Sequence, residues 1–367
     1  KTALAQTSWN AQQSKYRMMM KAVHQAGWGG REQLSVQIVP RPAAAAGCVL
    51  VKVVAISTHA GDAHMLSGRP YLVRLIGLQK IPGMDFAGVV EELGEELGTV
   101  GNVAVRFAKG DEVFGTADAA CGAFAEYVAV PSKNLARKPE NVSWGTAAAI
   151  PTSGMTALQA LRAGGEVTSG QRVLVNGASG GVGTFAVQLA KAKGAHVTGV
   201  CSTANVDTVR SLGADEIIDY KNETVEGASA AAGVKYDKII DAVGRSGWRP
   251  MLAARGALVA VALPNPESEL IPCQLCSIIC CFSCLCCCLS SKKSHMFMQS
   301  VETADLEELA GMASAGTIRP LVGLRLVGID KIPDALAGHS DTLGPGHRLG
   351  KTVAFMGSEE SPEMERF

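Results

Sequence analysis

The chain has 367 residues, 47% of them hydrophobic, with 34 Lys and Arg balanced by 34 Asp and Glu. So much apolar material buries a sizeable core and excludes a disordered chain, and the length suggests two domains. A formal net charge of zero gives no overall field toward nucleic acid or an anionic surface, so the expected partner is a small molecule or another protein.

The first acidic residue is Glu32, whereas Lys1, Lys15, Arg17, Lys21 and Arg31 all lie in or beside the opening stretch. Residues 1–19 are read as an N-terminal extension, either the remnant of an organelle transit segment or a solvated terminus. From Met20 to about Ile150 short apolar runs such as "VLVKVVAIS", "DFAGVVEEL" and "AFAEYVAV" are separated by Gly, Pro and charged turns, which predicts a barrel-like β domain. From about Ala147 the texture changes to strands alternating with helices, and such alternation requires right-handed crossovers onto a parallel, doubly wound α/β sheet. Two Gly-rich polar loops, 91–105 and 337–350, read as decorations or as assembly contacts. Residues 358–367 are read as a polar tail.

Within the α/β half, "RVLVNGASGGVGTFAVQLAKAK" from Arg172 to Lys193 is the most informative stretch. A buried strand ends at Asn176, small residues follow at Gly177, Ala178, Gly180, Gly181 and Gly183, and an apolar-periodic helix is expected from about Thr184. Missing side chains let the backbone approach a pyrophosphate, whose charge is met by free amides at the helix start. Where an NAD site would carry an Asp or Glu for the ribose, this chain has Cys201-Ser202-Thr203-Ala204-Asn205, so NADP(H) is favoured.

Eight of the eleven cysteines fall in "CQLCSIICCFSCLCCC", residues 273–288. Cys273, Cys276, Cys280, Cys284 and Cys287 recur at helical spacing, and free thiols pack as small hydrophobes, which favours a buried or interface helix. A metal site on Cys273-x-x-Cys276 and Cys281-x-x-Cys284, and a membrane or partner contact, stay open as alternatives. Cys48, Cys121 and Cys201 lack partner spacing, as in a reducing compartment.

The stretch "NGASGGVGTFAVQLAKAKGAHVTGVCSTANVDTVRSLGADEIIDYK", with "PGMDFAGVV", "KGDEVFG", "GAFAEYVAVP", "AAAIPTSGMTALQAL", "IIDAVG" and "TIRPLVG", resembles the zinc-independent quinone oxidoreductase branch of the medium-chain dehydrogenase/reductase superfamily, in particular its mitochondrial and chloroplast-envelope members. The resemblance implies a GroES-like β domain, 20–148 completed by 301–357, packed on a Rossmann dinucleotide-binding domain, 149–300. It implies hydride transfer from NADPH to a quinone or an enone-type acceptor, in a mitochondrion or plastid with the cytoplasm as the alternative, and leaves a homodimer open. By position, Ala178, Ser179, Gly180, Gly181, Val182 and Gly183 would bind the pyrophosphate, and Ser202, Thr203 and Tyr220 the adenosine phosphate. Thr156, Val243 and Gly244 would border the nicotinamide, and Lys351 would close the site.

Zinc-dependent relatives carry Gly-His-Glu where this chain has Gly83-Met84-Asp85, so no metal is expected. His59 and Tyr71 are the candidates at the acceptor end, with Asp62 near them. Ala204 stands where relatives carry Arg, and Ala262 and Leu263 where they keep glycines. Leu263, the two decorated loops and the apolar cysteine-rich run support a rival reading, an accessory or scaffold subunit of an organellar membrane complex that keeps the fold, with or without a bound nucleotide.

Overall fold

The computed structural model describes residues 18–69, 74–75, 77–95, 106–245, 247–261, 293–296, 299–337 and 349–357. Strands β1 (Met19–Gln25) and β2 (Leu34–Pro40) form an antiparallel ribbon, tied to the next unit by the Val23 amide donating to the Phe124 carbonyl at 2.8 Å. The long strand β3 (Cys48–Thr58) is followed by helix α1 (Ala60–Ser67) and by β4 (Asp85–Leu93), β5 (Glu112–Thr116), β6 (Tyr127–Pro131) and β7 (Leu135–Arg137). β3 pairs with β4 along one edge, while its other edge is shared between β6 at the start and a C-terminal strand at the end. Flanked on both edges and covered on both faces over Ala55–Thr58, it reads as a nearly continuous apolar run.

Helices α2 (Trp144–Ala149) and α3 (Pro151–Arg162) lead to the second unit. Ser143 Oγ caps α2 by accepting from the Thr146 amide at 3.2 Å, and Pro151 opens α3 where its missing N–H leaves nothing unsatisfied. Then come β8 (Arg172–Asn176), α4 (Gly181–Ala192), β9 (His196–Cys201), α5 (Val206–Ser211), β10 (Glu216–Asp219), α6 (Val225–Ala231), β11 (Tyr236–Asp241), β12 (Leu252–Ala260) and β13 (Lys293–Met296). Every neighbouring pair is parallel, in the order β10-β9-β8-β11-β12-β13. This is the doubly wound Rossmann order, and it reverses direction between β8 and β11.

The chain ends with α7 (Thr303–Ser314), β14 (Val322–Val327), α8 (Ile332–Ala337) and β15 (Lys351–Phe355). β15 lies antiparallel to β3 with Thr352 opposite Thr58, so the C-terminal strands complete the first, GroES-like sheet. The expected α/β architecture with a GroES-like domain and a Rossmann domain is therefore borne out. One core runs through α2, α3, α4 and the inner face of the parallel sheet and takes in Val353 of β15, so the two units share buried apolar surface. The cysteine run 273–288, Ala262 and Leu263 lie outside the described residues, as do most of the two decorated loops and the tail.

Inside the Rossmann unit, Lys238 on β11 is 3% exposed, and its ammonium donates to the carbonyls of Leu161 (2.6 Å), Ala163 (2.8 Å) and Gly165 (2.5 Å). Those carbonyls lie at and just beyond the end of α3, where a helix lacks its own donors and favours a cation. Burial nevertheless pulls the Lys238 pKa down to about 8. Because the unfolded chain then holds this proton more tightly than the folded one, stability should rise as pH climbs from about 8 toward the ordinary lysine range. Lys238→Met should abolish that rise and lower stability at neutral pH by about 2–3 kcal/mol, through three carbonyls left without their donor. Denaturant midpoints of both proteins across this pH range check the expectation.

Candidate dinucleotide site

The reversal of strand order leaves a crevice at the carboxyl ends of β8 and β11, and the chain's smallest residues gather there. Leaving β8, Gly177 adopts φ +78°, and the Ala178 amide donates to the Val200 carbonyl at 2.9 Å. Helix α4 opens at Gly181, three residues before the expected Thr184, with Gly180 as its N-cap. Its first internal bond runs from the Thr184 amide to the Gly180 carbonyl at 3.0 Å, so the amides of Gly181, Val182 and Gly183 precede the ladder. A Cβ on Gly183 would lie 2.0 Å from the Gly177 carbonyl oxygen, which only glycine avoids. On Gly180 the nearest atom would be 3.4 Å away, so this position has open space beside it, as an approaching pyrophosphate requires.

Across the crevice, Asp241 at the end of β11 organises the opposite wall. Its Oδ1 accepts from Asn176 Nδ2 (2.8 Å) and from the amides of Val243 (3.1 Å) and Gly244 (3.2 Å), and its Oδ2 from the Arg245 amide and Trp248 Nε1. Val243 consequently stands 57% exposed at the rim. Thr156 on α3 gives its hydroxyl to the Thr152 carbonyl (2.7 Å) and to Gln299 Oε1 (3.1 Å). On the β9 side, Ser202 is buried, Thr203 Oγ1 donates to Asp219 Oδ2 at 2.6 Å, and Tyr220 is partly exposed with its amide on the Cys201 carbonyl.

Lys351 is placed beside the cradle by a backbone stitch: the Gly350 amide donates to the Ser179 carbonyl at 2.9 Å. Its buried ammonium lies 3.4 Å from Asp85 Oδ2 and 3.2 Å from Ser153 Oγ, while Thr152 Oγ1 donates to Asp85 Oδ1 at 2.6 Å. Burial raises the Asp85 carboxyl above the usual range, and the Lys351 charge works against that rise. Sequence reasoning did not find Asp85, Thr152, Ser153 or Asp241 as members of the site. The signal for Asp241 was "IIDAVG", where an acid ends an otherwise apolar strand.

His59 is the N-cap of α1, where it forms a capping box with Asp62: the Asp62 carboxylate accepts from the His59 amide at 2.8 Å and stands 3.7 Å from His59 Nε2. Burial raises the Asp62 carboxyl, with His59 opposing; Asp85 and Lys351 also act on it, so the four groups form one buried polar cluster at the junction. Tyr71 lies outside the described residues. Zinc is a poor match for the donors here. Met84 offers only a thioether, Asp85 is engaged by Lys351 and Thr152, and among the described residues no group of three His, Cys, Asp or Glu side chains is placed to hold a metal ion.

A glycine cradle at the switch point of a Rossmann sheet, backed by a GroES-like domain, defines a two-domain dehydrogenase or reductase of the nicotinamide-dinucleotide fold. Residues 45–140 match the alcohol dehydrogenase GroES-like domain, and residues 181–298 match the family described as zinc-binding dehydrogenase. The chain is 32% identical to the chloroplastic quinone-oxidoreductase QR1 of Triphysaria versicolor over 91% of its own length and 98% of that protein. It is also 32% identical to the mitochondrial NAD(P)H oxidoreductase RTN4IP1 of Homo sapiens, over 83% of this chain and 81% of the relative. Among solved structures, the quinone oxidoreductase from Coxiella burnetii superposes with a TM-score of 0.76 at 28% identity, covering 92% of this chain and 100% of its own. The chain belongs to the medium-chain dehydrogenase/reductase superfamily and is an oxidoreductase.

Proposed function

We propose that the chain is an NADPH-dependent, zinc-independent oxidoreductase that reduces a quinone or an enone-type acceptor. The observation that carries this reading is the cradle itself: a Gly183 whose Cβ would collide with the Gly177 carbonyl oxygen, and three helix amides ahead of the first internal bond, facing open space at Gly180. Relatives named quinone oxidoreductase and NAD(P)H oxidoreductase support it. The mismatch of Met84 and Asp85 with zinc supports the metal-free part.

When bound, NADPH supplies the hydride, and the protein contributes position and charge. Ala178 to Gly183 hold the pyrophosphate, and Ser202, Thr203 and Tyr220 border the adenosine phosphate. Thr156, Val243 and Gly244 border the nicotinamide, and Lys351 closes the site over the cradle. His59 is the candidate at the acceptor end, with Tyr71 a candidate from the sequence alone, and solvent or one of these two side chains would give the proton that the reduced oxygen takes up. The chloroplastic and mitochondrial relatives support an organelle location.

Titrating the protein with NADPH and following cofactor oxidation with quinones and enones tests the reading. Oxidation that depends on an acceptor is expected; no binding at saturating millimolar cofactor removes it. Purification at native salt then separates a free dimer from a subunit held on a membrane assembly.

A further inference from the structure

A cation strengthens the hold on a 2′-phosphate, and the turn after β9 offers none: Ser202, Thr203, Ala204 and Asn205 are all neutral. The neighbouring turn after β10 supplies one. β10 runs parallel to β9 with Asp219 opposite Cys201, and the Tyr220 amide donates to the Cys201 carbonyl at 3.1 Å, so the two turns emerge side by side at the sheet's carboxyl edge. This is the adenosine half of the crevice, beyond β8 from the Val243 wall.

Asp219 pins the turns together. Its Oδ2 accepts from Thr203 Oγ1 (2.6 Å) and Asn222 Nδ2 (2.7 Å), and its Oδ1 from the Lys221 amide (3.0 Å). The Thr203 hydroxyl bond, first among these, holds the carboxyl below its usual range. With its oxygens engaged by three donors, Asp219 braces the turn rather than presenting a free acceptor pair to ribose hydroxyls. The brace leaves Tyr220 42% exposed, with the Lys221 ammonium 5.4 Å from the centre of its ring. Among the described residues Lys221 makes no ion pair, so its charge is available to a ligand. An aromatic face carrying an unpaired ammonium beside the ribose end suits an adenosine 2′-phosphate.

We propose that Lys221, held along the Tyr220 ring by the Asp219-braced turn, is the residue that selects NADP(H) over NAD(H). This rests on the reading that the cradle holds a nicotinamide dinucleotide. The test is the dissociation constant of NADPH and of NADH for the wild-type chain, Lys221→Ala and Lys221→Glu at low salt, with 2′-AMP and 5′-AMP as fragment competitors. Lys221→Ala should weaken NADPH and 2′-AMP about tenfold and Lys221→Glu about a hundredfold, while NADH and 5′-AMP move less than twofold. Thermal melts of both variants should match the wild type, because Lys221 is exposed. A wild-type chain that binds NADH as tightly as NADPH, or a Lys221→Ala variant whose losses are equal for the two cofactors or absent, overturns the proposal and leaves the dinucleotide reading standing. A wild-type chain that binds neither cofactor removes both.

Discussion

Gly180→Val is expected to reduce dinucleotide affinity at least a hundredfold while leaving the melting temperature within a few degrees of wild type. Gly180 has φ −80° and ψ 176°, an extended conformation open to any residue, and its absent Cβ faces no atom nearer than 3.4 Å. The new side chain therefore fits the apo protein but occupies the space through which a pyrophosphate meets the first amides of α4. Gly183→Ala should behave differently. Its Cβ would sit 2.0 Å from the Gly177 oxygen and 2.8 Å from Ala178 Cα, both backbone atoms, so strand end and helix start must part. A loss of roughly 2–3 kcal/mol in folding stability is the expected outcome, in the range of overpacked cores. Calorimetric titration with NADPH beside denaturant unfolding separates the two effects. Unimpaired binding by Gly180→Val would move the cofactor away from this loop.

Lys351→Met is expected to lower stability by about 3 kcal/mol, because it removes the cation facing a fully buried carboxylate. The variant should also acquire a pH dependence of a particular sign. Burial already raises Asp85, and without Lys351 the opposing charge is gone, so its folded pKa rises further. A carboxyl whose folded pKa exceeds its unfolded value makes the folded state progressively less stable as pH rises from the unfolded pKa through the folded one. Melting temperatures of Lys351→Met should accordingly fall between mildly acidic and neutral pH. Adding Asp85→Asn should restore most of the stability and flatten the profile, since the amide keeps its partner Thr152 and carries no charge. Cofactor affinity should stay low in the double variant if Lys351 also closes the site. An unchanged melting profile in Lys351→Met would show the ion pair to be energetically idle.

The cradle was legible because each of its features is local. A strand, a run of small residues and an amphipathic helix follow one another within Arg172 to Lys193, and glycine is placed there by close approach and positive φ. Only the helix start was misjudged, since glycine's low helix propensity argued against Gly181 and Gly183, whereas packing against Gly177 and Ala178 overrides it. Partners far apart in sequence were illegible: Asp85 and Lys351 are separated by 266 positions, and nothing in "GMDF" or "GKTV" names the other. His59 was expected in a loop; the structure makes it a helix cap, a task usually given to Ser, Thr, Asp or Asn, so the usual signature was missing. Lys221 was overlooked because it belongs to the next strand's turn, and only the parallel register of β9 and β10 brings that turn beside Thr203.

The pairing of β15 with β3 also sets an order of events during synthesis. Thr58 waits for Thr352, and the whole Rossmann unit leaves the ribosome between them. Its parallel sheet is drawn from one continuous segment and can close first, whereas the first sheet holds an open edge over Ala55–Thr58 of β3 until β15 is made. Contacts so distant along the chain form slowly. The nascent protein is thus most vulnerable to aggregation at an edge that the finished molecule never exposes.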